Sequence, residues 1–189
     1  PRFQTYVVEH GTLRYCNTGF QQTTGGDAVD SLSLSDMHVV RNGTGMDIYG
    51  SLTLDHSESS SNDSTGIGGR YGNLTLTTCS VTNNGGYGLN VDAKNVVLMD
   101  SEFKRNTGWG VFCQGYNGQS RLEMRNCNIR ENSYGVYLYS SFSAVVMVSN
   151  TISDHAGTGL EWQVQSGQLG AGGISGNTIR SNQVGIRVS

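Results

Sequence analysis

An all-β solenoid of eight stacked rungs, each made of three short strands, is the fold class predicted by three columns in this 189-residue chain. A glycine followed by an alternating pair of side chains recurs at Gly19, Gly45, Gly66, Gly88, Gly110, Gly135, Gly159 and Gly185. Upstream of each lies an aliphatic position, filled by Leu13, Val39, Ser59, Val81, Phe103, Ile129, Ile152 and Ile179, and only Ser59 breaks it. Between the two runs a third column, Cys16, Asn42, Asn62, Asn84, Asn106, Asn132, His155 and Asn182, in which asparagine dominates.

The composition agrees with that reading. There are 27 Gly and a single Pro, Pro1, and 14% of residues are charged, where a globular average is roughly 25%. Turns that need unusual φ, joined by strands that cannot spare an N–H, account for the balance. A long helical protein is excluded, since an interior glycine costs a helix about 1 kcal/mol. The hydrophobic content of 35% supports one core, so residues 1–189 are read as a single domain.

The first strand of each rung is marked by alternate positions at Tyr6/Val8, Leu32/Leu34, Leu52/Leu54, Leu74/Leu76, Val96/Leu98, Leu122/Met124, Val145/Met147 and Gly172/Ile174. Period-two alternation of this kind buries one face of a strand. The aliphatic column supplies the second strand. The third follows the glycine, with pairs such as Met46/Ile48, Leu89/Val91, Val111/Cys113 and Val136/Leu138. Stacked at the ~4.8 Å spacing of paired strands, the asparagines of the turn can donate to one neighbour and accept from the other, forming a structural ladder. A leucine-rich repeat shares the period and the start of the pattern in Met147–Ile152, but it returns through a helix or 3₁₀ segment. Here the return is Gly-aliphatic-x-aliphatic, which is strand chemistry.

The units Asn126-Cys-Asn-Ile-Arg-Glu-Asn-Ser-Tyr-Gly-Val-Tyr-Leu and Asn177-Thr-Ile-Arg-Ser-Asn-Gln-Val-Gly-Ile resemble the repeats of right-handed parallel β-helices, the pectate-lyase-like superfamily. The resemblance covers all eight repeats. It implies three parallel sheets wound into a solenoid, roughly 38 Å long for eight rungs. Pro1 opens almost directly into a strand and Ser189 ends inside one, so flanking domains or further rungs of a larger protein are expected to cover the open edges.

A net charge of −3 and the lack of a basic stripe argue against nucleic-acid partners, and no apolar run approaches the ~20 residues of a membrane insertion. The four cysteines are expected to be reduced and buried. Cys79 and Cys127 share a column but stand two rungs apart with Ser101 between them, beyond the ~7 Å that a disulfide allows, while Cys16 and Cys113 occupy other columns. The sequons at Asn42, Asn62 and Asn73 are acceptors only on a glycosylating secretory route, and since the first two fall in the ladder, only Asn73 could serve there.

No zinc, serine-hydrolase or phosphate-loop motif occurs. In the resembled enzymes the substrate groove follows the outer face of the first sheet, whose outward and turn positions here include Glu9, His10, Asp36, Asp55, His56, Asp100, Glu123 and Arg125. Stacking is expected to bring Asp36 near Asp55 and Asp100 near Arg125. Such carboxylates could work as an acid/base pair or hold Ca²⁺, the one cofactor the pattern suggests, with Arg125 as a base beside a uronic carboxylate as in the resembled lyases. Leu54-Asp55-His56 is similar to the Trp-Ile-Asp-His stretch of pectate lyases, with Thr53 in place of the Trp. The signatures of polygalacturonases and alginate epimerases are missing. Solvated polar residues on an outward face are the plain alternative.

Aromatic residues form the second candidate. Tyr87, Trp109 and Tyr134 precede the glycine in three successive rungs, and Phe112, Tyr137 and Tyr139 point outward from the third sheet. The rings could stabilise the solenoid by stacking or offer a platform to sugar rings or a partner protein. The connections Gln114–Ser120 and Gln163–Gly170 are short and polar for groove walls, which suits binding better than cleavage. Two functions follow. One is an extracellular polysaccharide-interacting module, non-catalytic or weakly lyase- or hydrolase-like, using Asp36, Asp55, Asp100 and Arg125 with His56, Trp109, Phe112, Tyr137 and Tyr139. The other is an adhesion or spacer segment of a larger cell-surface or fibre protein.

Overall fold

A computed structural model describes residues 5–22, 31–115, 120–139, 142–163 and 172–189. Among these, every regular element is a strand. In chain order they are β1 (Thr5–Arg14), β2 (Thr18–Gln22), β3 (Ser31–Val40), β4 (Thr44–Asp55), β5 (Glu58–Ser60), β6 (Ile67–Thr77), β7 (Ser80–Thr82), β8 (Leu89–Met99), β9 (Glu102–Lys104) and β10 (Trp109–Gly115). They continue with β11 (Ser120–Arg125), β12 (Asn128–Arg130), β13 (Tyr134–Tyr139), β14 (Phe142–Val148), β15 (Thr151–Ser153), β16 (Thr158–Gln163), β17 (Ile174–Ser175), β18 (Thr178–Arg180) and β19 (Val184–Val188).

Each strand pairs in parallel with its counterpart one rung away. The aliphatic column is continuous, Leu13↔Val39↔Ser59↔Val81↔Phe103↔Ile129↔Ile152↔Ile179. Those eight positions are joined by seven steps, so the coil makes about seven turns where eight were expected, and the stack is nearer ~34 Å than 38 Å. The strands are also less separate than three per rung. β4, β6 and β8 each carry the third strand of one rung round the corner into the first strand of the next, so no loop intervenes there. The longer connections predicted at Gln114–Ser120 and Gln163–Gly170 lie mostly outside the described residues.

Leu34, Leu54, Leu76, Leu98 and Met124 from the first sheet meet Ile48, Ile67, Val111 and Leu138 from the third in one buried core. Large apolar side chains are exposed mainly in the first and last layers, as at Tyr6, Val7, Ile174 and Val188.

The turn ladder forms as expected and reaches further. Asn62, Asn84 and Asn106 donate through Nδ2 to the Oδ1 of Asn84, Asn106 and Asn132 at 2.9, 2.9 and 3.0 Å. Each Oδ1 also accepts the backbone N–H of the preceding ladder residue, as Asn84 N–H to Asn106 Oδ1 at 3.1 Å. The same amides cap a strand carbonyl of the rung behind, Asn106 Nδ2 to Val81 O at 3.1 Å. Every polar atom of the side chain is therefore used, which is what its burial requires.

A second ladder, in the turn between the first and second sheets, is built from mixed residue types. Its column is Met37, Ser57, Cys79, Ser101, Cys127, Asn150 and Asn177. The N–H of Met37, Cys79, Cys127 and Asn150 donates at 2.9–3.0 Å to the side-chain oxygen of Ser57, Ser101, Asn150 and Asn177 respectively.

Both turns bend through the left-handed region one residue before the ladder. His10, Asp36, His56, Thr78, Asp100, Asn126 and Ser149 do so in the first turn, and Tyr15, Arg41, Ser61, Asn83, Arg105, Glu131, Asp154 and Ser181 in the second, all with φ between 44° and 62°. The glycine column, by contrast, has ordinary φ, which corrects the conformational explanation of the glycine content. A Cβ on Gly110 would lie 2.6 Å from Asn132 Nδ2, and one on Gly135 would lie 2.1 Å from Gly159 O. These glycines make room for the ladder of the next rung.

All four cysteines are free. Burial pushes the thiols of Cys79 and Cys127 up to about 11 and that of Cys113 up to about 12. Cys16 departs from the expectation, since it is exposed in the first rung. Asn42 and Asn62 are buried and Asn73 is exposed, accepting a hydrogen bond from Asn95.

Candidate functional site

The acidic residues of the first sheet do not converge. Ser35 pairs with Asp55, so Asp36 stands opposite His56 and not beside Asp55. Asp36 instead holds His10 Nδ1 at 3.2 Å, and Asp55 holds His56 Nδ1 at 2.9 Å through Oδ2 while its Oδ1 is shielded without a partner. Asp100 and Arg125 are neighbours along the backbone, Asp100 N–H donating to Arg125 O at 3.0 Å. Their side chains part, however. Asp100 accepts from Asn126 Nδ2 at 3.0 Å, and the Arg125 guanidinium pairs with Glu123.

Asp36, His56 and Asp100 are all left-handed turn residues, a conformation that aspartate, asparagine and histidine tolerate better than most. Their identity is explained by the backbone. Among the described residues no three His, Cys, Asp or Glu side chains gather into one group, on this face or elsewhere.

The third sheet gathers its outward side chains into a contiguous surface. Trp109 stacks on Tyr134 with ring centroids 4.7 Å apart and on Tyr137 at 5.0 Å. Phe112 packs on Tyr137 at 5.0 Å, Tyr139 lies 6.1 Å from Tyr137, and Tyr87 meets Phe112 edge-on at 5.7 Å. Register explains the cluster, because Trp109↔Tyr134, Phe112↔Tyr137 and Gln114↔Tyr139 are direct neighbours on β10 and β13. Of the expected binding residues, Trp109, Phe112, Tyr137 and Tyr139 are brought together; His56 is on another face. The Tyr137 hydroxyl bonds Gln163, and burial together with the nearby Glu161 carboxylate raises its pKa.

Beside the platform, on the same face, lies an open hollow of about 430 Å³ lined by Asp47, Tyr49, Gly68, Arg70, Asn90 and Asp92 among others. These residues continue the aromatic columns. Asp47, Gly68 and Asn90 lead to Phe112, and Tyr49, Arg70 and Asp92 lead through Gln114 to Tyr139. Burial raises the Asp92 carboxyl against the opposing pull of Arg70, whose Nε lies 3.7 Å away, and Asp92 Oδ1 is shielded without a hydrogen-bond partner.

Asp47, Arg70 and Asp92 are not among the site residues expected from the sequence. Arg70 faces Asp92 directly in one outward column, and Asp47 stands in the next column two residues away, which is the signal that marks them.

The profile of a family described as right handed beta helix region matches residues 8–169 and 115–189. No curated protein and no solved structure matches the chain.

Proposed function

This chain belongs to the right-handed β-helix family, with residues 8–189 matched between two overlapping segments, and on that scaffold we propose that it is an extracellular polysaccharide-interacting module whose binding face is the outer side of the third sheet. The observation that carries the reading is the joined set of rings at Trp109, Phe112, Tyr134, Tyr137 and Tyr139. Flat rings offer large apolar contact at low conformational cost, and their polar edges remain wet, a combination that suits the alternating C–H and hydroxyl surfaces of a sugar ring. Rings repeated from rung to rung suit a chain of sugars.

The chemistry of this reading is binding, with bond cleavage absent or slow. Asp36, Asp55, Asp100 and Arg125 are each engaged by a different neighbour and present no acid/base pair to one substrate bond.

A glycan array combined with a lyase assay on uronate polymers tests it, using the wild type and a Trp109→Ala/Tyr137→Ala variant. Glycan retention by the wild type that is lost in the variant, with little or no cleavage by either, is the expected result. No retention by the wild type overturns the proposal and leaves the adhesion or spacer role.

A further inference from the structure

Gly68 is a glycine that the fold does not demand. A Cβ placed on it would find its nearest atom, Thr65 Cγ2, at 3.5 Å, which is ordinary contact. Gly69 beside it shows the opposite case, with φ at +139° and a Cβ position 1.9 Å from Ile48 O. The column that contains Gly68 carries Gln21 and Asp47 on one side and Asn90, Phe112, Tyr137, Glu161 and Arg187 on the other. One missing side chain in that row opens the hollow. Glycine inside a strand weakens the strand and commonly marks a place where another group approaches the backbone.

The rim is polar and its charge is uneven. Asp47 and Asp92 supply two carboxylates, Asn90 and Gln114 supply amides, and Arg70 supplies one guanidinium. Arg70 is 75% exposed and meets Asp92 through Nε at 3.7 Å, which leaves its terminal fork turned to solvent. A hydroxyl can donate to a carboxylate and accept from a guanidinium at once, so an adjacent carboxylate and guanidinium suit neighbouring sugar hydroxyls. A sugar carboxylate would instead add a negative charge where acids already outnumber the base.

We propose that the Gly68 hollow is the polar subsite of the third-sheet face and that it receives the hydroxyls of a neutral oligosaccharide in preference to an acidic one. The inference rests on the polysaccharide reading above. The ring faces of the bound chain lie on Trp109 and Tyr137, and its next residue turns hydroxyls towards Arg70 and Asp92.

Calorimetric titration with neutral β-glucan, xylan and mannan oligomers and with oligogalacturonate tests it on the wild type, Gly68→Gln, Arg70→Ala and Trp109→Ala. Gly68→Gln fills the hollow and is expected to weaken a neutral oligomer about tenfold or more without lowering the melting temperature. Arg70→Ala, on an exposed rim residue, gives the same loss by a change that leaves the backbone alone. Neutral binding is also expected to be insensitive to salt. Wild-type affinity in both Gly68→Gln and Arg70→Ala, with loss in Trp109→Ala, overturns the subsite and spares the platform. Tighter binding of oligogalacturonate than of every neutral oligomer overturns the ligand class, and no binding by any oligomer overturns both readings.

Discussion

The outer faces of the first and third sheets are built on the same rungs at the same spacing, yet they use polar residues differently. On the first sheet the outward strand column runs through the short side chains Ser33, Thr53, Thr75 and Val97 to Glu123, which pairs with Arg125 on its own strand, while Asp36, His56 and Asp100 sit at the corner. There Asp36, His56 and Asp100 are held at φ of 52°, 44° and 51° and are each paired locally. On the third sheet the distinctive residues are in the strands themselves, and parallel register aligns Asp47, Arg70 and Asp92 with the rings beyond them. A charge at a turn of a solenoid reports the backbone, whereas a charge in an outward strand column builds a surface.

The sharpest way to break this contrast compares two glycines of the third sheet. Gly135→Ala forces a Cβ to 2.1 Å from Gly159 O and is expected to cost about 3 kcal/mol, read from the urea midpoint. Gly68→Ala is expected to be neutral or to stabilise by about 0.5 kcal/mol, because alanine restricts the unfolded chain. Equal costs at the two positions would remove the reason for treating Gly68 as a feature of the surface.

Asn106→Ala comes next. It strips the acceptor from the N–H of Asn84 and the donors to Val81 O and Asn132 Oδ1, and about 2–3 kcal/mol is expected to be lost. Glycan affinity is expected to stay unchanged, since Asn106 is buried within the turn and is not part of the ring surface.

A smaller effect is expected from His155, the one imidazole of that column. Asn132 N–H donates to His155 Nδ1 at 3.1 Å, Asn132 O lies 3.3 Å from the same nitrogen, and Nε2 is buried without a hydrogen-bond partner. Burial lowers the pKa of this histidine, opposed by its backbone hydrogen bonds and by Asp154. As pH falls, the unfolded chain takes up its proton first, near the ordinary value of about 6.5. The stability due to neutral His155 is therefore full above that pH and is lost as pH falls towards the lowered folded value. Unfolding curves across this range are expected to show a flatter acid limb for His155→Asn than for the wild type.

The smallest effects belong to the first-sheet corner. Asp36→Asn and Asp100→Asn preserve tolerance of the left-handed turn and are expected to change stability by no more than about 0.5 kcal/mol.

The repeat was legible in the sequence because Gly110, Asn106 and Phe103 each occupy a position where one residue type is favoured on nearly every rung. The second ladder was not, because Ser57, Cys79, Ser101 and Asn150 share its column through different side chains and show no common letter. The reason for the glycines was also hidden, since a steric limit set by Asn132 on the next rung leaves no mark near Gly110 itself. At the site, the rings stood out by type. Asp92 did not, being a lone acid whose importance comes from Arg70 one rung back and Gly68 two residues away in the register.

The most direct measurement of which face binds is one titration with a single neutral oligosaccharide against two variants of matched stability. One is Trp109→Ala/Tyr137→Ala on the third sheet, and the other is Asp36→Asn/Asp55→Asn/Asp100→Asn on the first. Loss of about tenfold or more in affinity for the first variant, with wild-type affinity in the second, is expected. The reverse pattern, with binding kept by the ring variant and lost by the acid variant, would contradict the assignment of the site to the third sheet.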